Sequence, residues 1–241
     1  MAIQEQFQIV VPHQGVEYVS ARLDLLGSES APAAVFVMAH GAGAGMASDF
    51  MEALAPRIAD AAGIAVLRFN YGFAEKMQRN GSRFPPEKRR ALDVVHREVL
   101  VQTRERFPSI PLIGGGKSMG GRMSSLLAAE GEAFDGLCFL GYPLHPPGKP
   151  EKLRTEHFPE LKLPMLFLQG TRDALCDLEL LRPALEGLGQ SPTLHVVEEG
   201  DHSFAVLKRA GRTPEEVLDE LAAAVAAWVP SVKGRTAPAE N

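Results

Sequence analysis

Apolar and polar residues alternate at Phe7, Ile9 and Val11, and again at Val19, Ala21, Leu23 and Leu25, with His13-Gln14-Gly15 between the two runs. A period of two marks a strand with one buried face, so the runs predict an antiparallel hairpin at a sheet edge. The pattern then changes. Residues 33–39, 64–69, 137–140 and 165–169 are nearly unbroken apolar runs, as expected of strands covered on both faces by helices. A further strand is predicted at 193–197. Helical spacing appears at 49–62, where Gly63 supplies a stop, and at 178–188 and 214–229. Pro85-Pro86 opens another helix that Pro108 closes after residue 107.

Strand and helix thus alternate with short connections. This predicts an α/β fold: a doubly wound, mostly parallel sheet of about eight strands with helices on both faces. The chain has 241 residues, 45% of them hydrophobic, enough for one substantial core. A single domain is expected over residues 1–230, followed by a small-residue, polar, disordered tail at 231–241. Residues 141–161 contain five prolines and little periodicity; they read as a loop excursion too short for a separate cap domain. Residues 76–83 read as a basic polar loop.

Charge and cysteine content exclude several classes. A net charge of -5 argues against nucleic-acid or anionic-membrane partners. The N-terminus lacks the basic flank and apolar core of a secretion signal, so a soluble, cytoplasmic protein is expected. Cys138 and Cys176 cannot build a disulfide framework, and no Cys/His spacing suits zinc.

One stretch carries chemistry. Residues 110–113 read as a strand and 119–129 as a helix, and between them lies Gly116-Lys117-Ser118-Met119-Gly120. This is the G-x-S-x-G pattern of a nucleophile elbow, which makes Ser118 the candidate nucleophile. The letters Gly116-Lys117-Ser118 also end a phosphate-binding loop, but that motif requires a glycine where Pro111 stands.

In a doubly wound sheet, ligands bind at the carboxyl ends of the strands. Four loops there carry polar or glycine-rich chemistry: 40–46, 116–120, 170–173 and 200–204. Ser118, Asp173 and His202 fall in the chain order of a hydrolase triad. Serine needs a base to take its proton during attack, histidine suits that role, and a carboxylate orients the imidazole. Asp177 and Asp201 compete with Asp173, which is favoured by its place at a strand end; His195 competes with His202 but lies within a strand. Met119, after the nucleophile, and Ala42, after His40-Gly41, are the candidate oxyanion donors. Tyr71, His145 and the basic 76–83 segment are expected at the substrate rim. His13, His96 and His157 read as structural or solvated.

Together, the segments His40-Gly41-Ala42-Gly43-Ala44, Arg68-Phe69-Asn70-Tyr71, Gly115 to Arg122, Tyr142 to Gly148, and Gly200-Asp201-His202-Ser203-Phe204 resemble a small, capless branch of the α/β-hydrolase superfamily. That branch includes dienelactone-hydrolase-like bacterial proteins, the testis-expressed hydrolase-like proteins and the hydrolase-like domain of an NSL acetyltransferase-complex subunit. The resemblance spans about residues 30 to 230. It departs from true dienelactone hydrolases, which carry cysteine where Ser118 stands. The resemblance strengthens the fold and triad; the triad and elbow themselves point to a serine hydrolase of a small ester, thioester or related acyl substrate, working through an acyl-enzyme with no metal or organic cofactor. Acyl transfer with the same triad and a non-catalytic binding or scaffold module are the alternatives.

Overall fold

In a computed structural model, which describes residues 2–11, 16–27, 31–188 and 192–234, the apolar runs sort themselves by strand parity. On strand β3 (Val35–Ala39), Val35, Val37 and Ala39 enter one core and Phe36 and Met38 the other. Both cores are apolar, which is why the run is unbroken. The eight strands are ordered β1-β2-β4-β3-β5-β6-β7-β8. Here β1 is Ala2–Val10, β2 Tyr18–Leu26, β4 Ala65–Phe69, β5 Leu112–Lys117, β6 Gly136–Leu140, β7 Met165–Gly170 and β8 Thr193–Val197. The β1–β2 and β2–β4 pairs are antiparallel and the remaining pairs parallel.

Helices cover both faces. α1 (Asp49–Ala62) and α6 (Pro214–Trp228) bury Leu54, Ile58, Leu221 and Val225 in one core. α3 (Arg89–Arg106), α4 (Met119–Ala129) and α5 (Leu178–Glu186) bury Leu92, Val99, Leu127 and Leu181 in the other. Gly63 closes α1 in the left-handed region, and α6 opens with a capping box between Thr213 and Glu216. This is the α/β-hydrolase fold, and residues 141–161 form no cap domain.

The structure departs from the sequence reading at four places. The basic segment 76–83 is mostly helix: α2 spans Gly72–Asn80 and ends at Gly81. Its exposed face is polar, so it lacks an apolar stripe; it is anchored by buried Phe73 and by Glu75, whose carboxylate accepts from the Ser20 main-chain N–H and the Asn70 side-chain amide. α3 begins at Arg89 rather than at Pro85-Pro86. β5 starts at Leu112 and continues through Gly114, Gly115 and Gly116 to Lys117, residues without side chains that give no hydropathy signal. Finally, the ordered chain passes residue 230: Val229–Ser231 form a 3-10 turn and Val232 is 9% exposed within the core. Residues 235–241 of the expected tail, and the His13-Gln14-Gly15 turn, lie outside the described residues.

One buried ion pair ties the edge hairpin to the sheet. Arg68 on β4, fully buried, donates from Nε and Nη2 to Asp24 Oδ2 on β2, at 3.0 and 2.9 Å, and from Nη1 to the Met46 carbonyl at 2.9 Å. Met46 ends the 40–46 loop, so this pair also fixes one end of a segment that reaches the functional site. Removing Asp24 strips the buried guanidinium of two carboxylate bonds and leaves it the partly exposed Glu52 as counter-charge, 3.2 Å from Nη1. Asp24→Ala is therefore expected to lower stability by about 3 kcal/mol or more, read from the urea midpoint, whereas loss of the exposed Arg57–Asp219 contact should cost about 1 kcal/mol or less.

Candidate active site

Ser118 stands between β5 and α4 with φ 50 and ψ -115, a conformation that costs a non-glycine residue of order 1–3 kcal/mol. The surrounding structure enforces it. The Ser118 N–H donates to the Leu140 carbonyl of β6, and the Ser118 carbonyl accepts from Arg122 in the first turn of α4. The turn is tight because α4 begins directly against the end of β3. A Cβ at residue 116 would lie 2.1 Å from the Ala39 carbonyl oxygen, and one at residue 120 would lie 2.4 Å from it. Gly116 also has φ 128. Glycine at both positions is what allows the helix so close and leaves the Ser118 hydroxyl raised above the sheet.

Two other strand ends bring groups to that hydroxyl. His202 Nε2 is 2.8 Å from Ser118 Oγ, and His202 Nδ1 is 2.7 Å from Asp173 Oδ2. Asp173 has a buried carboxylate, and its Oδ1 accepts from the Leu175 N–H at 2.8 Å. Its Oδ2 also accepts from the Gln169 amide, whose own oxygen accepts from the Tyr142 N–H. A carboxylate so bonded favours the imidazole tautomer with hydrogen on Nδ1, leaving Nε2 free to accept from serine. His202 itself sits at the tip of a loop wound around Asp201, whose Oδ1 accepts from the Ser203 and Ala205 N–H groups.

The 40–46 loop passes over the serine: a Cβ at Gly41 would be 3.6 Å from the Ser118 Cβ. A buried polar chain supports this loop from below. His40 Nδ1 is 2.8 Å from the Gly41 carbonyl, and His40 Nε2 accepts from the Tyr71 N–H at 3.0 Å. The Tyr71 hydroxyl is 2.9 Å from His96 Nδ1. Burial holds both imidazoles neutral, pushing His40 down to about 4 and His96 down to about 3. Neutral His40 can donate at Nδ1 and accept at Nε2 at once, which fixes the Gly41 peptide. Among the described residues, the Ala42 and Met119 N–H groups donate to no protein acceptor.

The structure brings Ser118, Asp173 and His202 together and separates their competitors. Asp177 caps α5 through the Glu179 N–H, Asp201 holds its own turn, and His195 pairs with Glu220 on α6 at 2.7 Å. His157 meets Ser125. Tyr71 is not at a rim: it is fully buried beneath the 40–46 loop, because its ring stacks among Phe69, Phe73 and His96. His145 is 5% exposed and accepts from the Asp177 N–H. It lines a depression of about 570 Å³ that includes Asp173 and Cys176 but not Ser118. Lys76, within α2, pairs with Glu87.

Three residues that sequence reasoning passed over belong to the site. Gln169 orients Asp173, and its signal is a lone amide in a buried strand four residues upstream. His40 supports the 40–46 loop through the Gly41 carbonyl and the Tyr71 N–H. Lys117, read only as a letter of the elbow, reaches the His202 backbone.

A family model described as an alpha/beta hydrolase domain matches residues 32–230. Among solved structures, the chain is similar to a dienelactone hydrolase from Anabaena variabilis, with 18% identity, 96% of this chain and 99% of that one covered, and a TM-score of 0.72. It is similar to an alpha-beta serine hydrolase homologue from Coxiella burnetii, at 16% identity, 92% and 96% coverage and a TM-score of 0.69. A lidless α/β serine hydrolase from Xanthomonas campestris matches at 21% identity, with 95% and 97% coverage and a TM-score of 0.67. The family match covers most of the chain, and the fold and elbow geometry agree with it: the chain belongs to the alpha/beta hydrolase domain family.

Proposed function

We propose that the protein is a serine hydrolase of small esters, thioesters or related acyl compounds, acting through an acyl-enzyme formed on Ser118. The observation that carries this reading is the unbroken relay from Ser118 Oγ through His202 to the buried Asp173, at 2.8 and 2.7 Å, with serine held in a strained elbow. Ser118 Oγ attacks the substrate carbonyl while His202 Nε2 takes its proton. Asp173 stabilises the resulting imidazolium. The carbonyl oxygen becomes an oxyanion between the Met119 and Ala42 N–H groups, which need not reorganise to receive it. On collapse, the alcohol or thiol leaves with the proton held by His202. Water then attacks the acyl-enzyme by the same steps in reverse, releasing the acid and restoring Ser118. Every proton moves between Ser118, His202, substrate and water, so the triad alone balances the reaction.

The first test is labelling by a fluorophosphonate probe, followed by mapping of the modified peptide. Label on Ser118 is expected; a folded, monodisperse sample that stays unlabelled would sink the reading. Ser118→Ala should lower kcat by about a million-fold and Asp173→Asn by about ten-thousand-fold.

Substrate size follows from the missing cap. Residues 141–161 fold down onto the domain, with Tyr142, Leu144, Phe158 and Leu161 buried in the core, and build no lid over Ser118. A long acyl chain would leave methylenes in water, each forgoing about 0.8 kcal/mol of burial. The kcat/KM on p-nitrophenyl esters is expected to level off at about four to six acyl carbons. A steady rise to about twelve carbons would reveal a deep apolar tunnel and contradict this.

A further inference from the structure

Lys117 is placed where a cation is unusual. It ends β5, immediately before the nucleophile, and its side chain is partly buried. Nζ donates to the His202 main-chain carbonyl and lies over two aromatic rings, 5.9 Å from the Phe50 centroid and 5.5 Å from that of Phe204. Those rings stack on each other at 5.8 Å, one from α1 and one from the His202 loop. Gly141, after β6, leaves the room: a Cβ there would be 3.0 Å from Nζ and 3.5 Å from His202 Nδ1. The ends of β5, β6 and β8 and the first turn of α1 therefore meet around one ammonium.

On its β7 side the His202 loop is held at residues 199 and 200: Arg172 donates from its N–H to the Gly200 carbonyl and from Nη1 to the Glu199 carbonyl, and Thr171 Oγ1 accepts from the Glu199 N–H. Phe204 has φ 62 and Glu199 φ 58, so the backbone is strained on both sides of the histidine, and the Asp201 bonds fix only the turn itself. Toward the elbow the turn is held by the His202 ring, through Ser118, and by Lys117, which grips the His202 main chain. Two weak cation–ring contacts and one charge-assisted hydrogen bond converge on it.

We propose that Lys117 is a positioning residue for the reaction above: its protonated ammonium, clamped between Phe50, Phe204 and the His202 carbonyl, holds the imidazole in register with Ser118 and Asp173. The inference rests on the serine-hydrolase reading and adds a proton-dependent element to it. The charged and titratable groups facing the ammonium are Asp173 from the loop after β7 and Asp201 and His202 from the loop after β8. Its other neighbours, Phe50, Phe204, Gly41 and Gly141, carry no charge. Burial pushes Lys117 down to about 8, partly opposed by Asp173 and Asp201. The sign follows: below that pH the cation is present and the clamp closed, and above it the neutral amine loses both ring contacts and the charge-assisted bond.

The test uses kcat against pH for the full chain on p-nitrophenyl acetate, with a thermal melt of each variant. Wild type should lose kcat as pH rises through about 8. Lys117→Met keeps the apolar stem without the charge; it should melt cooperatively and hydrolyse with little change in KM. Its kcat should fall by roughly 100-fold, the cost of a misplaced catalytic group, and show no alkaline loss. Lys117→Arg carries a cation that stays protonated to about pH 12 and should retain activity on the alkaline side where wild type fails. If Lys117→Met does not fold, the Lys117→Arg profile decides: an alkaline loss still near wild-type pH overturns the proposal. So does a folded Lys117→Met enzyme with wild-type kcat and profile. Failure of wild type itself to hydrolyse or to take a fluorophosphonate label would instead overturn the serine-hydrolase reading.

Discussion

The close approach of α4 to the end of β3 is the constraint on which the site depends. It requires glycine at 116 and 120, where a side chain would meet the Ala39 carbonyl, and it forces Ser118 into a backbone conformation that L-residues avoid. That strain is maintained by a sheet that cannot relax: β5 lies between β3 and β6 at the centre of eight strands, with apolar cores on both sides. The edge hairpin contributes by the buried Arg68–Asp24 pair, which grips the Met46 end of the loop over the serine. Packing far from the hydroxyl thereby decides where the hydroxyl stands.

Around that fixed point, the buried polar groups Asp173, Gln169 and His40 each have a defined partner. Asp173 is satisfied by Gln169, Leu175 and His202; Gln169 in turn by Tyr142. His40 and His96 remain neutral because burial disfavours their charge, so they serve as oriented donors and acceptors rather than as titrating groups. His202, with part of its side chain exposed, is the histidine that meets both a carboxylate and the serine. Three histidines in one domain thus take different roles through burial and partners alone.

Much of this was legible in the sequence, for a physical reason. The buried strands carry unbroken apolar runs, the helices carry a stripe or a cap, and the elbow announces itself through glycines that only a crowded turn demands. Ser118, Asp173 and His202 were separable from Asp177, Asp201 and His195 because residues at strand ends converge and residues within elements do not. What escaped was decided in three dimensions. Tyr71 follows a strand end and was expected at the rim, but its ring turns inward among Phe69, Phe73 and His96. α2 hid behind a polar surface, and β5 behind three glycines. Lys117 reaches a carbonyl 85 residues away and Gln169 joins Asp173 to Tyr142, 27 residues away, and no local period records such contacts.

The central claim is that Ser118 becomes covalently acylated during turnover. Acid quenching of the reaction with p-nitrophenyl acetate in the first turnovers, followed by intact-mass measurement and peptide mapping, examines it directly. One added acetyl group is expected, on the peptide containing Ser118, and none in Ser118→Ala. Turnover that proceeds with no acetyl on Ser118, or with the acetyl on another residue, would contradict it.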